Sequence, residues 1–92
     1  MKLIVCRCEW EDYYDYRIMS DDGMAHVRVS FFDDEIIISD LFVNEKCRHQ
    51  GYATALLDEV DRLLDGLEAT ITPANDWTEK WYLTRGYKIK KV

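Results

Sequence analysis

Arg48-His49-Gln50-Gly51-Tyr52-Ala53-Thr54 is the stretch whose reading decides the fold. It stands between the apolar run Ile36-Ile37-Ile38-Ser39-Asp40-Leu41-Phe42-Val43, which reads as a buried strand, and a regular amphipathic pattern downstream. The local order is therefore strand, loop, helix start. A helix start leaves several backbone NH groups unpaired and carries a partial positive charge, so it suits a diphosphate. A side chain at Gly51 would hold the backbone away from such a ligand. The spacing Arg-x-x-Gly-x-Ala of Arg48, Gly51 and Ala53 thus predicts a pyrophosphate cradle.

Downstream, Ala53, Leu56, Leu57, Val60, Leu63, Leu64 and Leu67 recur at steps of three and four, one face of an α-helix. Gly66 stands near the predicted helix end, where a left-handed residue is favoured. A strand over residues 68–72 stops at Pro73. Asn75 or Asp76 can cap a second helix that runs to about Arg85, and Gly86 releases the chain into a last strand over 87–92. Upstream, the pattern predicts strands over 2–10, 14–20, 24–32 and 35–43, the last being the most apolar and hence central. Asp21-Asp22-Gly23 and Asp33-Asp34 are the turns between them. Tyr14, Tyr16 and Ile18 share a face, as do Ala25, Val27, Val29 and Phe31. Cys6 and Cys8 share a strand face and read as core filler.

The chain has 92 residues, enough for one domain with one small core, read as spanning 1–92. No apolar run reaches the roughly 20 residues of a membrane span. Met1 to Cys6 begin like a signal peptide, but Arg7, Glu9 and Glu11 cut the apolar segment short, so a cytoplasmic location is expected. Three cysteines without paired metal-ligand spacing support neither a disulfide framework nor a metal site. Of the net charge of −6, residues 1–45 carry eleven acids against four bases, while 46–92 carry seven against eight. The second half is the place for an anionic cofactor, and the acidic half is either a set of solvated turns or a face for something cationic. Nucleic acid is disfavoured as a partner.

The loop resembles the acetyl-CoA motif of the GNAT superfamily of N-acetyltransferases. The ending Asn75, then Tyr82 in Trp81-Tyr82-Leu83-Thr84-Arg85-Gly86-Tyr87, is similar to that family's second motif. The two matches cover residues 36–90 in the right order. The resemblance implies a GNAT-like α/β (α+β) fold with a mixed, mostly antiparallel sheet, two main helices and the order β-β-β-β-α-β-α-β. Relatives carry one or two helices between their first two strands. Here only Glu11-Asp12-Tyr13 are available, which implies an open acceptor surface or one completed by a second copy, a homodimer.

It further implies acetyl-CoA as co-substrate and no metal. Backbone of Leu41, Phe42 and Val43 would line the pantetheine arm, one NH facing the thioester oxygen. Arg48, His49, Gln50, Gly51, Tyr52, Ala53 and Thr54 would hold the pyrophosphate, with His49 where a glycine is often found. Asn75 matches a contact to the cofactor arm and equally a helix cap. Tyr82 matches the tyrosine that protonates the departing thiolate. Thr70 stands where many relatives place a glutamate base, so Asp40, expected to be buried next to Phe42, is the substitute base; a structural aspartate is an equal reading. The function implied is acetyl transfer to a protein lysine or a small cationic amine, the alternative being a coenzyme A-binding or protein-interaction module without turnover.

Overall fold

Alternating side chains and tight turns build nearly the first half of the chain into an antiparallel meander. In the computed structural model, which describes residues 1–90, strands β1 (Leu3–Glu9), β2 (Tyr14–Ser20), β3 (Ala25–Phe31) and β4 (Ile36–Val43) pair in chain order. Residues 10–13 close the first hairpin with a Trp10 NH bond to Tyr13 O at 2.8 Å, so no helix intervenes there. Gly23, at φ 76°, lets its own NH reach Ser20 O at 2.9 Å in the second.

A short 3-10 turn, Glu45–Cys47, leads to helix α1 (Tyr52–Leu64), strand β5 (Thr70–Ile71), helix α2 (Asp76–Thr84) and strand β6 (Lys88–Ile89). β4 pairs with β5, and β5 with β6, in parallel, giving one six-stranded sheet in the order β1-β2-β3-β4-β5-β6. The element order and the mixed, mostly antiparallel sheet are those the sequence predicts. Of the last predicted strand, Lys91 and Val92 lie outside the described residues.

Both helices cover the same face of the sheet. Leu56, Leu57, Val60 and Leu64 of α1 and Tyr82 of α2 join Ile18, Val27, Val29 and Ile38 in one buried cluster. This follows from the helical spacing of the first set and the alternation of the second. The opposite face is open, leaving Ile4, Met19 and Phe42 exposed.

Several expectations need correction. Cys6 is exposed and Cys8 only partly buried, because β1 is an edge strand and their shared face is the uncovered one. Leu67 is 59% exposed, since α1 stops at Leu64 and Asp65 itself takes the left-handed conformation at φ 48°. β5 keeps only Thr70 and Ile71 of the five predicted residues, and its end at Ile71 has a reason that lies in β4. Asp15 is fully buried on the open side of β2, between Cys8 and Ser30, and neither carboxylate oxygen has a hydrogen-bond partner among the described residues.

Candidate active site

One inserted residue in β4 shapes the site. Ser39 pairs with Arg28, but Phe42 rather than Leu41 pairs with His26, so β4 carries one extra residue relative to β3. Asp40 takes the left-handed conformation there, at φ 55°. Such a bulge bends and twists the strand that bears it. The ladder to β5 accordingly ends after Ile37 with Thr70 and Ile38 with Ile71, and the two parallel strands part beyond it. The Asn44 NH donates to Met24 O at 2.7 Å, toward β3. Because successive strand amides point to opposite sides, the Val43 NH faces the parted side.

The loop follows directly. Asn44 caps the 3-10 turn by accepting from the Lys46 NH at 3.0 Å. His49 and Gly51 then adopt left-handed conformations, φ 64° and 84°, and reverse the chain into α1. That conformation explains why glycine suits the position of His49, and its exposed side chain leaves the backbone path intact. Gly51 is the N-cap of α1 and offers no capping side chain. None of the amides from His49 to Thr54 finds an acceptor of good geometry among the described residues. Six consecutive donors at the positive end of a 13-residue helix are thereby free for an anion. A Cβ built on Gly51 would meet nothing within 4 Å, so the space before the loop is open.

The loop borders a cleft of about 330 Å³ shared by Val43, Arg48, Gly51, Thr54, Trp77 and Trp81, with Cys47, His49, Tyr52 and Ala53 completing its wall. Trp77 and Trp81, spaced i, i+4 on α2, were missed in the sequence; their helical spacing is the signal that pairs them. Gln50 does not line this cleft, since its side chain turns back to Lys46 O at 3.1 Å. Leu41 and Phe42 line a second cleft, of about 550 Å³, on the open face of the sheet. Leu41 and Val43 pack against the buried cluster while the Phe42 ring lies on the open face, so alternation along the strand divides the predicted trio.

Tyr82 is 6% exposed, packed among core residues between Trp81 and Tyr87, with ring centroids 5.5 and 6.4 Å away. Burial pushes its phenol pKa up, so it holds its proton as a donor. Asn75 is a helix cap: its Oδ1 accepts from the Thr78 NH at 3.0 Å, and Thr78 Oγ1 accepts from the Asn75 NH at 3.1 Å. It stands outside the loop cleft, beside a hollow with Pro73 and Lys90. Asp40 borders the open-face cleft, but the burial expected for it does not occur. Its side chain is 58% exposed and pairs with Arg28 at 3.0 Å, because the bulge turns it out of the sheet. Thr70, where a glutamate was sought, is the residue that starts β5.

A larger cleft, of about 660 Å³, lies at the other end of the sheet, far from the loop. It gathers much of the acidity of the N-terminal half, from Glu9 to Asp12 and from Asp33 to Glu35.

A parted parallel strand pair beside a loop of free amides at a helix tip is an arrangement able to hold an anionic group with an extended arm. The chain matches the family model described as Acetyltransferase (GNAT) domain over residues 5–89, and it belongs to that family. Among solved structures it is similar to the ribosomal-protein-S18-alanine N-acetyltransferase from Escherichia coli, with a TM-score of 0.62 at 18% identity. The likeness covers 85% of this chain and 54% of that one, so the chain spans about half the length of the enzyme it matches. Among curated proteins, no sequence matches significantly. Among the described residues no helix is long and apolar enough to cross a membrane, and no group of three or more potential ligands that could hold a metal ion is found.

Proposed function

We propose that this chain is an N-acetyltransferase that moves the acetyl group of acetyl-CoA to a primary amine by direct attack. The observation that carries the reading is the run of unpaired amides from His49 to Thr54, set at the tip of α1 beside the parted strands. The residues fit the cofactor: free donors and Arg48 for a pyrophosphate, an open space before Gly51, and an unpaired strand edge at Val43 for an extended arm. Acetyl-CoA supplies an activated acetyl group when bound. The loop amides neutralise phosphate charge, and the Val43 NH stabilises negative charge on the carbonyl oxygen as the amine attacks. Tyr82, kept protonated by burial, donates to the leaving sulfur. Asp40, at the edge of the open-face cleft, collects the proton of the attacking amine.

A coenzyme A-binding module without turnover is the second reading. It is favoured by the exposure of Asp40, by its pairing with Arg28, and by Thr70 in place of an acid. Two measurements separate the readings. Calorimetry with acetyl-CoA and desulfo-coenzyme A is expected to show binding of both; no binding at millimolar concentration removes both readings. Thiol release with amines then tests turnover. Tyr82→Phe is expected to lower it about ten-fold or more, in the range of a proton-transfer group, and an unchanged rate would refute the donor role.

A further inference from the structure

We propose that the acceptor is a small amine that also carries a carboxylate, bound on the open face of the sheet with its carboxylate held by Arg17; this rests on the acetyl-transfer reading. Position is the first support. The loop cleft takes in Val43 from the helical face, and the open-face cleft takes in the exposed Asp40 and Phe42 from the other. Ligands entering from opposite faces therefore meet at the same bulged segment, where β4 has left β5.

Charge is the second. Arg17 and Arg28 stand directly opposite each other on β2 and β3, an unfavourable cross-strand pairing of like charges. Arg28 is compensated by Asp40 at 3.0 Å and bonds Ser39 Oγ at 3.4 Å. Arg17 has no carboxylate within ion-pair distance among the described residues. One guanidinium is left over on the wall of the cleft, in a chain of net charge −6. A planar guanidinium matches a carboxylate through two parallel NH donors. The acids that would attract a cationic amine sit mostly at the far end of the sheet.

Size and lining are the third. A volume of about 550 Å³ suits a ligand the size of an amino acid or dipeptide rather than a protein surface. Met19 and the Phe42 ring, with His26 stacked on it at 5.3 Å, provide an apolar floor for an aliphatic side chain. In the transfer, the acceptor ammonium first loses one proton to Asp40 or water. Its nitrogen then bonds to the acetyl carbon as the carbon–sulfur bond breaks. The nitrogen gives a second proton to solvent, and Tyr82 protonates the thiolate and is reprotonated from water.

The test compares leucine with leucinamide in thiol release, using wild type, Arg17→Ala and Arg17→Lys. Arg17 is an exposed strand residue, so its replacement leaves the core alone. The expected kcat/KM for leucine is about ten-fold or more above that for leucinamide, in keeping with the worth of a charged hydrogen bond. The ratio falls to near one in Arg17→Ala and recovers in part in Arg17→Lys. A preference for leucinamide or spermidine overturns the proposal, as does a ratio that survives Arg17→Ala. Should no amine release thiol, NMR titration with N-acetylleucine decides. Shifts at Arg17, His26 and Phe42 that are absent with N-acetylleucinamide and in Arg17→Ala uphold the carboxylate site, and no shifts overturn it. Calorimetry with acetyl-CoA reports separately whether the transfer reading has failed.

Discussion

Tyr52 stands inside the loop motif, yet its phenol is tied to a residue thirty positions earlier, Asp22 of the β2–β3 turn, at 2.6 Å. Asp22 in turn accepts from Ser20 Oγ at 2.6 Å and the Met24 NH at 3.0 Å. The bonds from Ser20, Tyr52 and Met24 pull the Asp22 carboxyl down to about 2, and the bond to Asp22 with burial pushes Tyr52 up to about 12. The turn thereby holds the start of α1 and the loop before it from the side. Tyr52→Phe and Asp22→Asn are both expected to weaken coenzyme A binding several-fold in calorimetry while leaving the fold intact. The pH sign follows from the shifts. A lowered carboxyl pKa stabilises above its unfolded value near 4 and loses that effect as pH falls toward 2. A raised phenol pKa stabilises below about 10 and loses that effect as pH rises through 12. The melting-temperature gap between wild type and Asp22→Asn should therefore be flat from about pH 4 to 10 and close on the acid side. Gly51 and its neighbours were legible because their signal is contiguous. The Tyr52–Asp22 bond and the unmatched Arg17 were not, since both depend on a strand register that places distant residues together.

Among the elements, those with a full period could be read directly: six of the seven periodic apolar positions fall in α1, and strict alternation gave β3. The failures lie where one element alters another. The 68–72 run has strand composition, but the ladder starts only at Thr70, and the Asp40 bulge ends it after Ile71. Cys6 and Cys8 alternate correctly, yet alternation alone does not tell which face the helices will cover. Asn75 shows a local signal serving structure first. Its reciprocal bonds with Thr78 fix the opening turn of α2 and with it Trp77 and Trp81, which flank the loop cleft. Asn75→Ala is expected to cost about 1 kcal/mol in urea unfolding. Asn75→Asp, which keeps the acceptor, should recover most of it; if it does not, the residue's role exceeds capping.

At the scale of the whole molecule, the decisive feature is a sheet covered on one side only. All the helical packing falls on one face, with Leu56, Leu57 and Val60 fully buried, while Ile4 is 45% exposed on the other. A domain of this size has a stability of the order of 5–15 kcal/mol, at the lower end for so small a core. Leu57→Ala, which removes a fully buried side chain and leaves a cavity, is expected to cost about 2–5 kcal/mol and bring the protein close to unfolding. Ile4→Ala should fall within about 0.5 kcal/mol of wild type, as surface changes do. The two variants together measure the one-sidedness. The same open face is what gives Arg17 and Phe42 access to a small acceptor, so its exposure must hold in solution. Comparable losses in the two variants, read as the change in urea midpoint at constant slope, would mean that something covers that face and that the acceptor cannot enter from it.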